Sequence, residues 1–306
     1  MRLKKPIGIF LCGGGAFGSW QSGVLKKLVE NGVDADVVAG FSIGALNGAA
    51  YCFDKTAELK DIWSKVDNGK MFRLSPSYHH MPIEIYQHYD TDSIFSRLKF
   101  TFENRLSRMT LFSNTPLYEI LYNWLGKSDL IFHKNVKFHI ITHCVERKLP
   151  YIITYDGKTA SNPVKFIHAL VASCAIPLVF PPVKIVEGDE KLHLVDGGAI
   201  GIATINLSIF EGCKTIIMIS NSADEDLHYQ REGFMGYFEG KVRRMLALHV
   251  KKIYESRDFV KSSPEVHLLK PEKAPPMGII DFESEKCLKT FEEGEDAALR
   301  FIKKFK

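Results

Sequence analysis

Three short stretches of this chain hold the residues whose types and spacing can do chemistry. Gly40-Phe41-Ser42-Ile43-Gly44 sets a hydroxyl between two glycines. A serine hydroxyl becomes a nucleophile when a base takes its proton and fixed donors receive the charge that develops on the substrate carbonyl. The G-x-S-x-G spacing suits a sharp strand-to-helix bend, where flanking glycines relieve crowding and lift the hydroxyl clear of a sheet. The amino end of the following helix favours negative charge beside it. The bland alternative is a structural turn, so the context of the pattern carries the reading.

The second stretch is Gly13-Gly14-Gly15-Ala16-Phe17-Gly18. Consecutive glycines let the backbone approach a ligand closely, and a helix start leaves free N–H groups pointing at it. Such a turn serves a phosphate or an oxyanion equally well. Gly13, Gly15 and Gly18 also satisfy G-x-G-x-x-G, which keeps a nucleotide-binding module open. That fold wants an acidic residue closing the second strand, and here the second strand runs into Gly40-Phe41-Ser42. No Gly-Lys-Ser/Thr follows the glycines, which excludes a P-loop.

The third is Leu194-Val195-Asp196-Gly197-Gly198, an aspartate that ends an apolar run. It is either an ordinary Asp-Gly turn or a base projecting over the sheet edge toward Ser42, and spacing alone does not choose. Histidine is the usual partner of a catalytic serine. None of the eleven (79, 80, 88, 133, 139, 143, 168, 193, 228, 249 and 267) carries a local signature, and each reads as surface or core.

The elements that must position these groups follow from periodicity. Residues 7–12 read as a short buried strand. Trp20, Val24, Leu25, Leu28 and Val29 recur at helical spacing until Asn31-Gly32 closes the helix. Val37–Ala39 is a second strand, and an Ala-rich helix runs to about Tyr51. Strand, helix, strand, helix implies a parallel sheet. Further strands are expected at Phe138–Thr142, Tyr151–Thr154, Val183–Val186, Leu192–Val195 and Thr215–Ser220, the last with the unbroken apolar character of a central strand. Gly15 and Ser42 lie 27 residues apart, room for one helix and one strand. The glycine turn and the serine therefore belong to adjacent parallel strands at one sheet edge, unlike the arrangement of an α/β-hydrolase. Residues 66–132, rich in Phe, Tyr and His, break this alternation and read as an inserted cap within a single 1–306 domain.

Composition narrows the function classes. With 306 residues and 45% hydrophobic content, the chain can bury roughly 75% of its unfolded surface. A net charge of +4 is too mild for nucleic acid but compatible with an anionic membrane surface. The six cysteines are widely spaced with no ligand pattern and read as reduced, mostly buried thiols of a cytoplasmic-type protein. No run approaches the ~20 apolar residues of a membrane span. The apolar run after Arg2, Lys4 and Lys5 is too short for a signal peptide.

Taken in order, Gly13–Gly18, Gly40–Gly44, Ala172-Ser173-Cys174-Ala175-Ile176-Pro177 with Phe180-Pro181-Pro182, and Asp196-Gly197-Gly198 resemble the patatin-like phospholipases. The likeness covers residues 7–52 and 137–221, and more weakly 279–294. It implies a three-layer α/β/α sandwich with a mostly parallel central sheet, shared with acyl-carrier-protein transacylases, to which the 66–132 stretch adds an inserted helical, aromatic-rich cap. It also implies a lipid acyl hydrolase with a Ser–Asp dyad and neither catalytic histidine, metal nor cofactor. Ser42 would attack the ester, Asp196 would activate Ser42 and then water, and the N–H groups of Gly13, Gly14 and Gly15 would hold the oxyanion. Gly18, Gly40, Gly44, Gly197 and Gly198 would support those turns, and the Ala172–Pro182 loop would shape the acyl pocket. Two positions depart from the family. Phe17 stands where an Arg or Lys is usual, so charge support at the oxyanion is missing or comes from elsewhere; and no Asn-Pro follows Asp-Gly-Gly, Asn206 coming later without a proline.

A phospholipase must meet an interface. Lys241–Lys252 carries five Lys/Arg and no acid, with Val242, Met245, Leu246, His249 and Ile253 on one face. It is expected to be a surface helix packing its apolar side on the core, with a membrane helix as the rival. The 94–109 segment is either a lid or plain cap structure. The expected partner is a phospholipid or lysophospholipid at a membrane surface, with a homo-oligomer left open. An acyl transferase using the same serine is the alternative enzyme.

Overall fold

The computed structural model describes residues 3–73, 110, 112–125, 135–156, 163–177, 179–198 and 205–305. Most of the expected cap, with the 94–109 segment and His79, His80, His88 and His133, lies outside the described residues.

The chain enters the sheet as β1 (Ile7–Leu11), every residue of which is buried. The glycine turn leads into α1 (Gly18–Glu30), which ends where the Asn31 side chain donates to the Lys27 carbonyl. β2 (Val37–Gly40) and α2 (Ile43–Cys52) follow, then the short helices α3 (Leu59–Lys65) and α4 (Asn68–Met71), and α5 (Thr115–Leu125). Next come β3 (Lys137–Cys144), β4 (Leu149–Tyr155), α6 (Pro163–Ser173), β5 (Val183–Glu187) and β6 (Glu190–Asp196). β7 (Thr215–Ile219), α7 (Gly233–Glu255), β8 (Glu265–Leu269) and α8 (Ser284–Lys303) complete the described elements.

All the described strands join one eight-stranded sheet, in the order β5-β6-β3-β2-β1-β7-β8, with β4 on β3. From β3 to β8 the neighbours are parallel. β4 and β6 both run antiparallel to β3, and β5 antiparallel to β6. The sheet is a mixed one, with a parallel centre and an antiparallel flank.

Alternate residues divide the core. Ile9, Leu11, Val38, Phe138, Ile140, Ile217 and Ile219 pack with α1, α2, α5, α6 and α8 on one face. Phe10, Ala39, Ile141, Ile216 and Met218 pack with Phe210, Val250 and Ile253 on the other, where α7 lies. Helices therefore cover both faces, which makes the three layers expected from the sequence. α7 buries Leu246, Val250 and Ile253, so the apolar side of the basic helix is spent on the core. β8 was not expected: Glu265-Val266-His267-Leu268-Leu269 is a short, half-buried edge strand whose charged and ring residues mask the apolar run.

Candidate active site

Ser42 occupies the bend between β2 and α2 with φ 54° and ψ −135°, a left-handed conformation for a residue with a Cβ. Such a backbone costs about 1–3 kcal/mol and persists only where the surroundings over-determine it. Here they do. The Ser42 N–H donates to both the Ser173 carbonyl (3.1 Å) and the Ser173 Oγ (3.0 Å), and Ser173 Oγ itself donates to the Ile141 carbonyl (2.7 Å). Behind the bend, α2 presses on the end of β1 so closely that a Cβ on Gly44 would stand 2.2 Å from the Leu11 carbonyl oxygen. Only glycine fits there. Gly40 sits against the Gly44 carbonyl on the inside of the same bend.

Asp196 reaches this bend from the opposite direction. β4 takes one whole edge of β3, from Phe138 to Cys144. β2 and β6 must share the other edge, β2 opposite Lys137–Ile140 and β6 opposite Thr142–Cys144. They run head-on, and their carboxyl ends meet: Gly40 pairs with Ile140 and Asp196 with Thr142. The Asp196 carboxyl is 3% exposed, and burial pushes its pKa up to about 6. The Ser42 side chain and the Gly198 N–H, which donates to Asp196 Oδ1 at 2.7 Å, both favour the ionised form and offset part of that rise. The result is a carboxylate near neutral pH whose side-chain neighbour is a serine hydroxyl.

The glycine turn completes the triangle. Gly15 has φ 54°, and a Cβ there would lie 2.2 Å from the Ile279 carbonyl oxygen, which accepts the Ala16 N–H at 2.8 Å. The carbonyls of the turn are held from behind: Asn221 Nδ2 donates to Cys12 O (2.9 Å) and Gly13 O (3.2 Å), and Gln21 Nε2 donates to Cys12 O (3.1 Å). Among the described residues, none accepts a hydrogen bond from the N–H of Gly13, Gly14 or Gly15. The Phe41 ring packs against Gly13 on the turn and against Gly198 beyond Asp196, so one side chain spaces all three motifs. Gly13 is close enough to Ser42 that a Cβ on it would lie 3.1 Å from the Ser42 Cβ. Gly18 seats Ile43, and Gly197 backs onto the Ile141 carbonyl.

A family model described as patatin-like phospholipase matches residues 9–206, from β1 to just beyond the Asp-Gly-Gly turn. The chain belongs to the patatin-like phospholipase family. Its similar relatives include Triacylglycerol lipase 5 of Saccharomyces cerevisiae, 24% identical over 255 residues, covering 81% of this chain and 31% of that protein. Lysophospholipase nte1 of Aspergillus terreus is 50% identical over 50 residues, 16% of this chain and 3% of the relative. The chain thus matches less than a third of the length of these curated relatives. Among solved structures, VipD from Legionella pneumophila overlays with a TM-score of 0.47 at 11% identity, covering 98% of this chain and 67% of that one.

Within this patatin-like site the sequence reading missed the residues that hold the motifs in place. Ser173 and Ala175 clasp the two ends of the pair, the Ala175 carbonyl accepting the Asp196 N–H at 2.9 Å while Ser173 holds Ser42. Both lie in the Ala172–Pro177 block, so their motif was legible and their role was not. A buried polar chain ties the glycine turn to the helix behind the serine. Trp63 Nε1 donates to Ser22 Oγ (2.7 Å), Ser22 Oγ meets Asn47 Oδ1 (2.8 Å), and Asn47 Nδ2 donates to Gln21 Oε1 (2.9 Å). Polar residues among Ala and Gly in helices were the available signal. Phe17 is fully buried, and the Arg243 guanidinium stands over its ring at 4.6 Å.

Three of the described histidines are engaged elsewhere. His168 joins Tyr118 to the Lys184 carbonyl, His139 meets Thr154, and His193 pairs with Glu146. No described histidine hydrogen-bonds Ser42 or Asp196, and among the described residues no group of three His, Cys, Asp or Glu could hold a metal ion. All six cysteines are free thiols, five of them buried. No described helix is long and apolar enough to cross a membrane. Asn206 is described, while most of the loop joining it to Gly198 lies outside the described residues.

Proposed function

We propose that the chain is a lipid acyl hydrolase that cleaves fatty-acyl esters of phospholipids or lysophospholipids through an acyl-serine intermediate. The observation that carries this reading is the head-on meeting of β2 and β6. It sets a buried carboxylate with a raised pKa against a serine hydroxyl, beside three N–H groups with no acceptor among the described residues. Ser42 Oγ attacks the ester carbonyl as Asp196 takes its proton, and the N–H groups of Gly13, Gly14 and Gly15 receive the charge on the carbonyl oxygen. The proton then passes to the leaving alkoxide. In the second half, Asp196 takes a proton from water, the hydroxide attacks the acyl-serine, and Ser42 is restored. A pKa near the working pH suits a group that must both accept and return a proton.

An apolar cavity of about 550 Å³ supports a fatty-acyl substrate. It opens beside α2 and is lined by Ile43, Leu46, Ile62, Trp63, Trp124 and Phe282, so the residue next to Ser42 forms part of its wall. The relatives' names, a triacylglycerol lipase and a lysophospholipase, point to the same acyl-ester chemistry.

The test is fatty-acid release from lysophosphatidylcholine, phosphatidylcholine and triacylglycerol by the wild type, Ser42→Ala and Asp196→Asn. Release from the phospholipids that is lost in both variants is expected. Activity retained in either variant would remove the dyad, and release from triacylglycerol alone would move the substrate to neutral glycerides. Acyl transfer to added glycerol in preference to water would make the enzyme a transferase.

A further inference from the structure

Phe17 leaves open what steadies the glycine turn when the usual cation beside it is absent. We propose that Arg243, from the middle of α7, is the positioning residue of that turn; the inference rests on the reading that Gly13–Gly15 hold an oxyanion.

Arg243 sits in a basic run of the sequence, yet its side chain is 1% exposed. Nη1 donates to Asp226 Oδ1 at 2.9 Å and Nε to Glu239 Oε1 at 2.9 Å. Nη2 donates to the Pro275 carbonyl at 3.1 Å and to the Met277 carbonyl. The guanidinium carbon also lies over the rings of Phe17 (4.6 Å) and Tyr229 (4.0 Å). A planar fork is the one side chain that can bond in several directions and stack at the same time. Lysine offers neither the fork nor the plane.

The carbonyls it holds belong to the segment that closes over the glycine turn. Two residues beyond Met277, the Ile279 carbonyl accepts the Ala16 N–H and walls off Gly15. Arg243 therefore grips the turn twice, through the 275–279 segment and through the Phe17 ring. On the far side Asn221 holds the Cys12 and Gly13 carbonyls. These two anchors hold the turn that carries the N–H groups of Gly13–Gly15. The charge of Arg243 is matched by Asp226 and Glu239, so its contribution is geometric.

The experiment compares wild type, Arg243→Lys, Arg243→Met and Phe17→Leu, each checked for folding by circular dichroism at the assay temperature. Hydrolysis of lysophosphatidylcholine is measured together with inhibition by a fatty-alkyl trifluoromethyl ketone, which adds to the serine and presents an oxyanion. A displaced turn should lower kcat about 100-fold in Arg243→Met and about tenfold in Arg243→Lys and Phe17→Leu, with KM within about threefold. Affinity for the ketone should fall in step with kcat/KM. Should Arg243→Met not fold, the other two variants carry the comparison. Folded variants with wild-type kcat and ketone affinity would overturn the proposal, since a residue that serves stability alone moves neither. Activity retained in Ser42→Ala would instead overturn the site itself, and so separates the two failures.

Discussion

The parallel centre of the sheet and its antiparallel flank contribute one half of the proposed site each, in opposite styles. The centre, β1, β2 and β7, is buried along nearly its whole length. It delivers Ser42 and the glycine turn through backbone crowding: Leu11 against Gly44, Ile279 against Gly15. The flank is half exposed. β4 alternates between exposed and half-buried positions, and Val186 on β5 is largely exposed. It delivers Asp196 by strand direction, β6 running into the end of β2, with the Ala175 carbonyl holding the Asp196 N–H. In the proposed mechanism the nucleophile, with its strained backbone, comes from the buried centre, and the carboxylate that takes its proton comes from the buried end of a strand in the half-exposed flank.

Removing the contribution of each half should cost most. Ser42→Ala should lower kcat about 10⁵-fold or more and abolish labelling by a fluorophosphonate, and Asp196→Asn should lower kcat about 10³–10⁴-fold with the backbone intact. Near-equal, small losses would break the division of labour.

The second expectation separates activity from stability. The folded-state pKa of Asp196 lies above its ordinary 3.8, at about 6, so ionising it destabilises the fold. That penalty is absent below the lower value and complete above the higher one. At pH 8 the Asp196→Asn variant should therefore be more stable than wild type by a margin on the order of 3 kcal/mol, and unfold at higher temperature, while keeping only a small residual activity. In the wild type kcat/KM should fall about tenfold per pH unit below about pH 6, as the base becomes protonated. The residual activity of Asp196→Asn should lack that limb. A pH profile flat to pH 4.5 would exclude Asp196 as the titrating base.

The smallest effects test the two styles of backbone. Gly44→Ala drives a Cβ onto the Leu11 carbonyl and should cost about 3 kcal/mol, with activity lost as the bend shifts. Gly188→Ala, in the β5–β6 turn, meets nothing within 4 Å and has only its φ of 59° to resist it. It should cost about 1 kcal/mol and leave kcat unchanged. Denaturant titrations of the two variants make the comparison. Equal losses would show that the flank is as tightly set as the centre.

What could be read from residues alone follows the same division. The run from Ile7 to Cys52 was legible because its information is local: unbroken apolar strands, helical periodicity, and glycines where chain meets chain. β8 was not, since an edge strand needs no continuous apolar face and Glu265 and His267 interrupt it. Arg243 reads as one more cation on a basic helix, and only the fold turns it inward to Asp226 and the 275–279 segment. By itself, then, the sequence determined a serine on a tight strand-to-helix bend beside a glycine turn, because both are properties of consecutive residues. Whether Asp196 meets that serine was left to tertiary structure. It depends on β4 occupying one edge of β3, so that β6 has only the remaining edge and must end where β2 ends. No spacing along the chain encodes that exclusion; it exists only once three strands compete for the two edges of a fourth.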